Sequence, residues 1–131
     1  MSGCAIDRID HFVLTVRDLQ ASLRFYERVL GARVVPPVAG RGPTAVAFGR
    51  QKINLHEKGR EFEPKATHPT TGAGDFCLIT EVSIDAVMHH LEACGVAVEI
   101  GPVPRHGALG SMTSVYFRDP DGNLVEVAKY A

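Results

Sequence analysis

Apolar and polar positions change rhythm along this chain, and each change marks an element. Ile9-Asp10-His11-Phe12-Val13-Leu14-Thr15-Val16 is short, rich in β-branched residues and bounded by charge, which predicts a strand. Asp18 is placed to cap a helix. Leu19, Leu23, Tyr26 and Leu30 then recur at helical spacing, so Leu19 to Leu30 reads as an amphipathic helix that Gly31 stops. Arg33-Val34-Val35 opens a strand that Pro36 and Pro37 end, and Thr44 to Phe48 with Lys52 to His56 predicts a hairpin around Gly49-Arg50-Gln51. Lys58 to Gly74 is polar and carries Pro64 and Pro69, as a connector or a loop over a site would. Asp75 to Thr80 reads as a strand, Ile84 to Cys94 as a helix stopped by Gly95, and Val96 to Ile100 as a strand. Gly101 to Gly110 is rich in proline and glycine and reads as a loop. Ser111 to Phe117 and Asn123 to Tyr130 form a last hairpin around Asp119-Pro120-Asp121-Gly122.

The second half repeats the order of the first: strand, helix, glycine, strand, hairpin. Shifted by 64 positions (75 less 11), His11, Phe12, Leu14 and Gly31 fall on Asp75, Phe76, Leu78 and Gly95. With one extra residue in the second hairpin turn, Phe48 meets Phe117, Leu55 meets Val125, and His56 meets Glu126. His11 with Asp75, and His56 with Glu126, thus occupy matching positions, and all four are metal-ligand types. Strand alternation puts Val13 and Thr15 on the face of His11, and Asn54 on the face of His56. The apolar residues between them are left to pack against helices. The expected fold is α+β: two pseudo-symmetric βαβββ modules, about 7–59 and 74–130, joined by a connector of about 60–73 into one domain.

Composition narrows the function. The chain has 131 residues, 45% hydrophobic and 22% charged, an ordinary globular balance that excludes disorder. A net charge of −1 offers no basic excess for nucleic acid or for an anionic membrane surface. No apolar run approaches the ~18 residues of a membrane span, and Met1 to Asp10 does not have the form of a secretory leader. Cys4, Cys77 and Cys94 are scattered with no CxxC pair, which favours inert thiols and a cytoplasmic setting.

IDHFVLTVRDLQASLRFYERVLG (Ile9 to Gly31), KINLHEKG (Lys52 to Gly59) and SVYFRDPDGNLVEV (Ser114 to Val127) resemble the vicinal oxygen chelate superfamily. That superfamily includes glyoxalase I, fosfomycin-resistance thiol transferases, bleomycin-resistance proteins and extradiol dioxygenases. The resemblance covers nearly the whole chain and is nearest to single-domain glyoxalase-like members. It implies paired modules forming a curved mixed sheet around a divalent metal. The ligands would come from the first and fourth strands of each module, here His11, His56, Asp75 and Glu126. Fosfomycin transferases carry a His where Asp75 or Gly74 stands and a Thr where Val13 stands, which argues against fosfomycin as substrate.

Two imidazoles and a carboxylate suit Ni, Mn, Zn, Fe or Co, any of which would act as a Lewis acid on paired substrate oxygens. By analogy with glyoxalase I, Glu126 is the candidate catalytic carboxylate, shuttling a proton, with Asp75 as the alternative. Tyr116 and Arg105 are the candidate substrate-binding residues. His68 could close over the site from the connector, whereas Glu57, His89 and His90 read as surface residues. The expected activity is that of a glyoxalase-like lyase, isomerase or thiol transferase on a small oxygen-rich substrate. The alternative is a bleomycin-resistance-type protein that sequesters a ligand without chemistry. Single-domain relatives commonly pair, so a homodimer with sites shared between chains is expected.

Overall fold

The computed structural model describes residues 3–131. The first module runs β1 (His11–Val16), α1 (Leu19–Leu30), β2 (Arg33–Val35), β3 (Thr44–Phe48) and β4 (Gln51–Glu57). The second runs β5 (Asp75–Ile79), α2 (Ile84–Ala93), β6 (Ile100–Gly107), β7 (Gly110–Arg118) and β8 (Leu124–Tyr130). Each module closes one four-stranded sheet, ordered β1-β4-β3-β2 and β5-β8-β7-β6. In both, the first and last strands pair parallel and the remaining pairs are antiparallel.

Local chemistry sets the helix limits. Asp18 accepts from the Ala21 N–H at 3.1 Å, and Gly31 ends α1 in the left-handed region at φ 67°. Ser83 caps α2 through Ala86, and Cys94, expected as its last residue, is its C-cap. The chain from Gly101 to Gly107, expected as a loop, is instead most of β6. Pro102 and Pro104 are tolerated there because β6 is an edge strand, paired with β7 alone, and the ladder is already irregular between Ile100 and Val103.

Leu14, Val16, Ile53, Leu55 and Val46 pack with Leu23 and Tyr26 of α1 into one core. Val115, Phe117, Val125 and Val127 pack with Val29 of α1 and Leu91 of α2 into another. Phe25 touches both clusters and the Phe12 and Phe76 rings meet at a tilt with centroids 5.2 Å apart, so the modules are joined through apolar contact.

The join is also polar, and it uses the turn after β7. Asp119, buried, accepts at Oδ1 from the Asp121 and Asn123 N–H groups and at Oδ2 from Asn123 Nδ2 (2.8 Å) and the Tyr26 hydroxyl (2.7 Å). Asp121 accepts from the Arg17 N–H at 2.9 Å, and Asn123 accepts from the Gly74 N–H at 2.7 Å. The Asp119-to-Asn123 segment is therefore a clamp between modules as well as a tight turn.

Candidate functional site

Because Leu14, Val16, Ile53 and Leu55 turn into the helix-side core, alternation puts His11, Val13 and Thr15 of β1 on the opposite face. Lys52, Asn54 and His56 of β4 share that face. The same argument in the second module puts Asp75, Cys77 and Ile79 with Ser114, Tyr116 and Glu126 on the face away from its core. All four predicted ligands thus lie on sheet faces turned away from the helices.

The register separates them along the strands. His11 lies opposite Lys52, whereas His56 lies opposite Thr15, four residues further on, or about 13 Å at ~3.3 Å per residue. Glu126 lies opposite Cys77, and Asp75 opposite Leu124. The module-one position matching Glu126 by register is therefore Asn54, opposite Val13, not His56 as the sequence alignment suggested. Parity fixed the face correctly, but a slide of two residues preserves parity and could not be seen in sequence.

A cavity of about 920 Å³ opens against β1. His11, His56 and Lys52 line it from the sheet, Lys65 and His68 from the connector, and Asp75 from the start of β5. The connector is pinned across it by a bridge from Thr15 to Thr71 and by the Phe62 ring, which stands edge-on to His56 at 5.5 Å. His56 is buried, while His11 is open and lies 2.8 Å from the Asp10 carboxylate. That contact, then the charges of His11, Arg8 and Lys52, hold the Asp10 carboxyl below its ordinary range.

Glu126, Tyr116 and Arg105 are not on this cavity's wall. They form a second group, on the outward face of the other sheet. Tyr116 is directly opposite Glu126, and the Arg105 Nε–H donates to the Tyr116 oxygen at 2.9 Å with its guanidinium over the ring. Cys77, beside Glu126, has its thiol pushed up to about 12, first by burial and then by the Glu126 charge and hydrogen bond. Asp75 is exposed and lies in the field of Arg118.

Among the described residues, no three His, Cys, Asp or Glu side chains come close enough to hold one ion. Within a single chain, then, the four expected ligands form no three-donor cluster among the described residues. The donor chemistry itself suits a divalent ion. Two imidazoles line one cavity, and Glu126 Oε2 is a buried carboxylate oxygen with no hydrogen-bond donor. Asn54 Oδ1 and Ser114 Oγ are orphaned in the same way, and both also belong to the faces away from the helices.

Three secondary readings are settled. Glu57 accepts from the Leu19 N–H at 3.3 Å and so serves the start of α1. His90 bonds the Val29 carbonyl at 2.9 Å and holds α2 to α1 rather than standing free. His68 does face the cavity. Lys52 was missed by sequence reasoning, although its two-residue spacing from Asn54 and His56 marks it as sharing their face.

The family follows from the chain's comparisons. Residues 8–127 match the model of the Glyoxalase/Bleomycin resistance protein/Dioxygenase superfamily. The chain belongs to that superfamily. It is 50% identical over 125 residues to virulence protein STM3117 of Salmonella typhimurium, covering 95% of this chain and 85% of that one. The crystal structure of that protein superposes with a TM-score of 0.94 at 48% identity, over 98% of this chain and all (100%) of the other. Glyoxalase domain-containing protein RDO1 of Mycosarcoma maydis is 46% identical over 96% of this chain and 70% of its own length. The lactoylglutathione lyase structure from Agrobacterium tumefaciens matches at a TM-score of 0.71 and 28% identity, over 95% of each chain.

Proposed function

We propose that this chain is a divalent-metal-dependent glyoxalase-like enzyme, of lyase, isomerase or thiol-transferase type, acting on a small oxygen-rich substrate. It works as a homodimer in which each site combines His56 of one copy with Glu126 of the other, with His11 and Asp75 as the further candidate donors. The observation that carries this reading is Glu126 Oε2, buried without a donor. An orphaned carboxylate oxygen costs about 1–3 kcal/mol or more unless a cation or donor from outside the chain meets it. Val13, Ile79 and Ile100 are exposed on the same outward faces, as suits surfaces that meet a second copy.

When bound, the ion supplies Lewis acidity to paired substrate oxygens. The remaining chemistry falls to side chains. The Tyr116 oxygen accepts from Arg105, so its own proton is free to be donated to a substrate oxygen. Glu126, opposite Tyr116, would take a proton from the substrate and return it. The presence of a carboxylate oxygen without a donor, and of imidazoles on a cavity wall, supports this reading over ligand sequestration without chemistry.

Elemental analysis of tag-free protein tests the proposal. About one transition-metal ion per chain is expected. His56→Ala and Glu126→Gln should each lose most of it while circular dichroism shows the fold intact. Protein that takes up no metal after reconstitution with Ni, Mn, Zn and Fe would overturn the enzyme reading and leave a ligand-sequestering protein.

A further inference from the structure

We infer that Cys77 is a ligand of the divalent ion, its sulfur standing beside the Glu126 carboxylate on the same half of the site. This rests on the proposed metal site, and it narrows which metals that site takes.

The Glu126 carboxylate is poorly served by its own chain. An ionised carboxylate accepts through two oxygens with about four lone-pair positions. Glu126 Oε2 is buried and meets no donor. The Cys77 thiol donates to this carboxylate, but an S–H group is a weak donor. Ser114, fully buried on the same outward face and diagonal to Glu126 across the β7–β8 pairing, has an Oγ without a partner as well. A strong acceptor and a buried hydroxyl thus stay unsatisfied around one sulfur, as groups do where something from outside the chain completes them.

Position makes the sulfur available. Cys77 lies directly opposite Glu126 in the parallel β5–β8 ladder, so the two side chains stand on one face, on strands about 4.8 Å apart. Cys77 is also exposed and lines the cavity against β1, whose wall His11, His56 and Asp75 share. It therefore links the two groups of candidate donors, bonded to Glu126 and facing the space of the imidazoles. One sulfur and one carboxylate fall short of a three-donor cluster, in agreement with the lack of one among the described residues. The third donor is His56 of the other copy, as in the shared site proposed above. The remaining cysteines stand elsewhere. Cys94 caps α2 with its sulfur 3.6 Å from His90 Nε2, and Cys4 is exposed ahead of β1.

As the metal–sulfur bond forms, the S–H bond breaks and its proton leaves to solvent. The carboxylate exchanges a weak hydrogen bond for the ion. A soft thiolate favours zinc over manganese, which suits oxygen donors.

The test uses the whole chain loaded with one equivalent of zinc or cobalt and reads the ligands rather than activity. X-ray absorption of the zinc protein should require one sulfur neighbour at about 2.3 Å, beside nitrogen and oxygen neighbours at about 2.0–2.2 Å. The cobalt protein should show the near-ultraviolet charge-transfer band of a cobalt–thiolate bond, which imidazole and carboxylate ligands do not give. Cys77→Ser, shown to be folded by circular dichroism, should lose the sulfur neighbour and the band while still binding an ion. Its zinc affinity should fall at least roughly tenfold, with little change for manganese. Cys4→Ser and Cys94→Ser should keep both signals, which assigns the sulfur to Cys77 by elimination among three cysteines even where Cys77→Ser does not fold. Zinc bound by nitrogen and oxygen alone, or a sulfur signal that survives in Cys77→Ser or is lost in Cys4→Ser or Cys94→Ser, would overturn this inference and leave the metal proposal standing. Protein that takes up no ion would overturn both.

Discussion

At the scale of single residues, Asp119 shows how a recurrent sequence feature can serve structure while resembling a site. Its carboxylate collects four hydrogen bonds, one from Tyr26 of the other module. Tyr26→Phe should cost about 1–3 kcal/mol in urea unfolding, the price of leaving a buried acceptor short of a donor, with no loss of metal. The Tyr26 phenol is held far above the ordinary tyrosine range, first by burial and then by the Asp119 charge. A group whose folded pKa is raised contributes stability below its unfolded pKa and loses it above. Stability should therefore fall as pH rises past about 10. The tyrosinate absorbance at 295 nm that belongs to Tyr26, taken by difference from Tyr26→Phe, should appear only on unfolding. Its appearance before the far-ultraviolet signal changes would contradict this. The chemistry of His11, His56, Asp75 and Glu126 was legible from residue type and parity. The clamp role of Asp119 was not, because its partner is 93 positions away.

Among elements, the helices and most strands were legible because their signals are local: a capping Asp18, a stopping Gly31, and alternation on strands with one apolar face. The strand β6 was hidden because proline signals a break unless the strand is known to be an edge, and that is a tertiary fact. The register of β4 against β1 was hidden for a related reason: local pattern fixes which face a residue takes, not how far one strand slides along another. The connector end offers a test at this scale. Gly72 has φ +75°, and a Cβ there would sit 2.6 Å from the Asp121 carbonyl oxygen. Gly72→Ala should destabilise the protein by about 1–3 kcal/mol, seen as a lowered urea midpoint, through strain and through displacement of the clamp. An unchanged midpoint would mean that the clamp and connector do not bear on one another.

For the whole molecule, the central claim is that one chain holds two incomplete halves of a site. Sequence showed that both halves carry donors. It could not show whether they meet within a chain, because two modules joined by a connector can pair their outward faces with each other or with those of a second copy. Glu126 is not on the wall of the His11 and His56 cavity, although Cys77, its neighbour across the β5–β8 pairing, is. The most direct measurement mixes two variants, His56→Ala and Glu126→Gln, by co-expression with different tags, and counts metal in the purified heterodimer. In a site shared between copies, one of the two sites in that heterodimer has both defects and the other has none. The account therefore predicts about half the wild-type metal, against almost none in either variant alone. A heterodimer as empty as its parents would place each whole site within one chain, and failure to isolate any heterodimer from light-scattering-verified monomers would remove the shared site altogether.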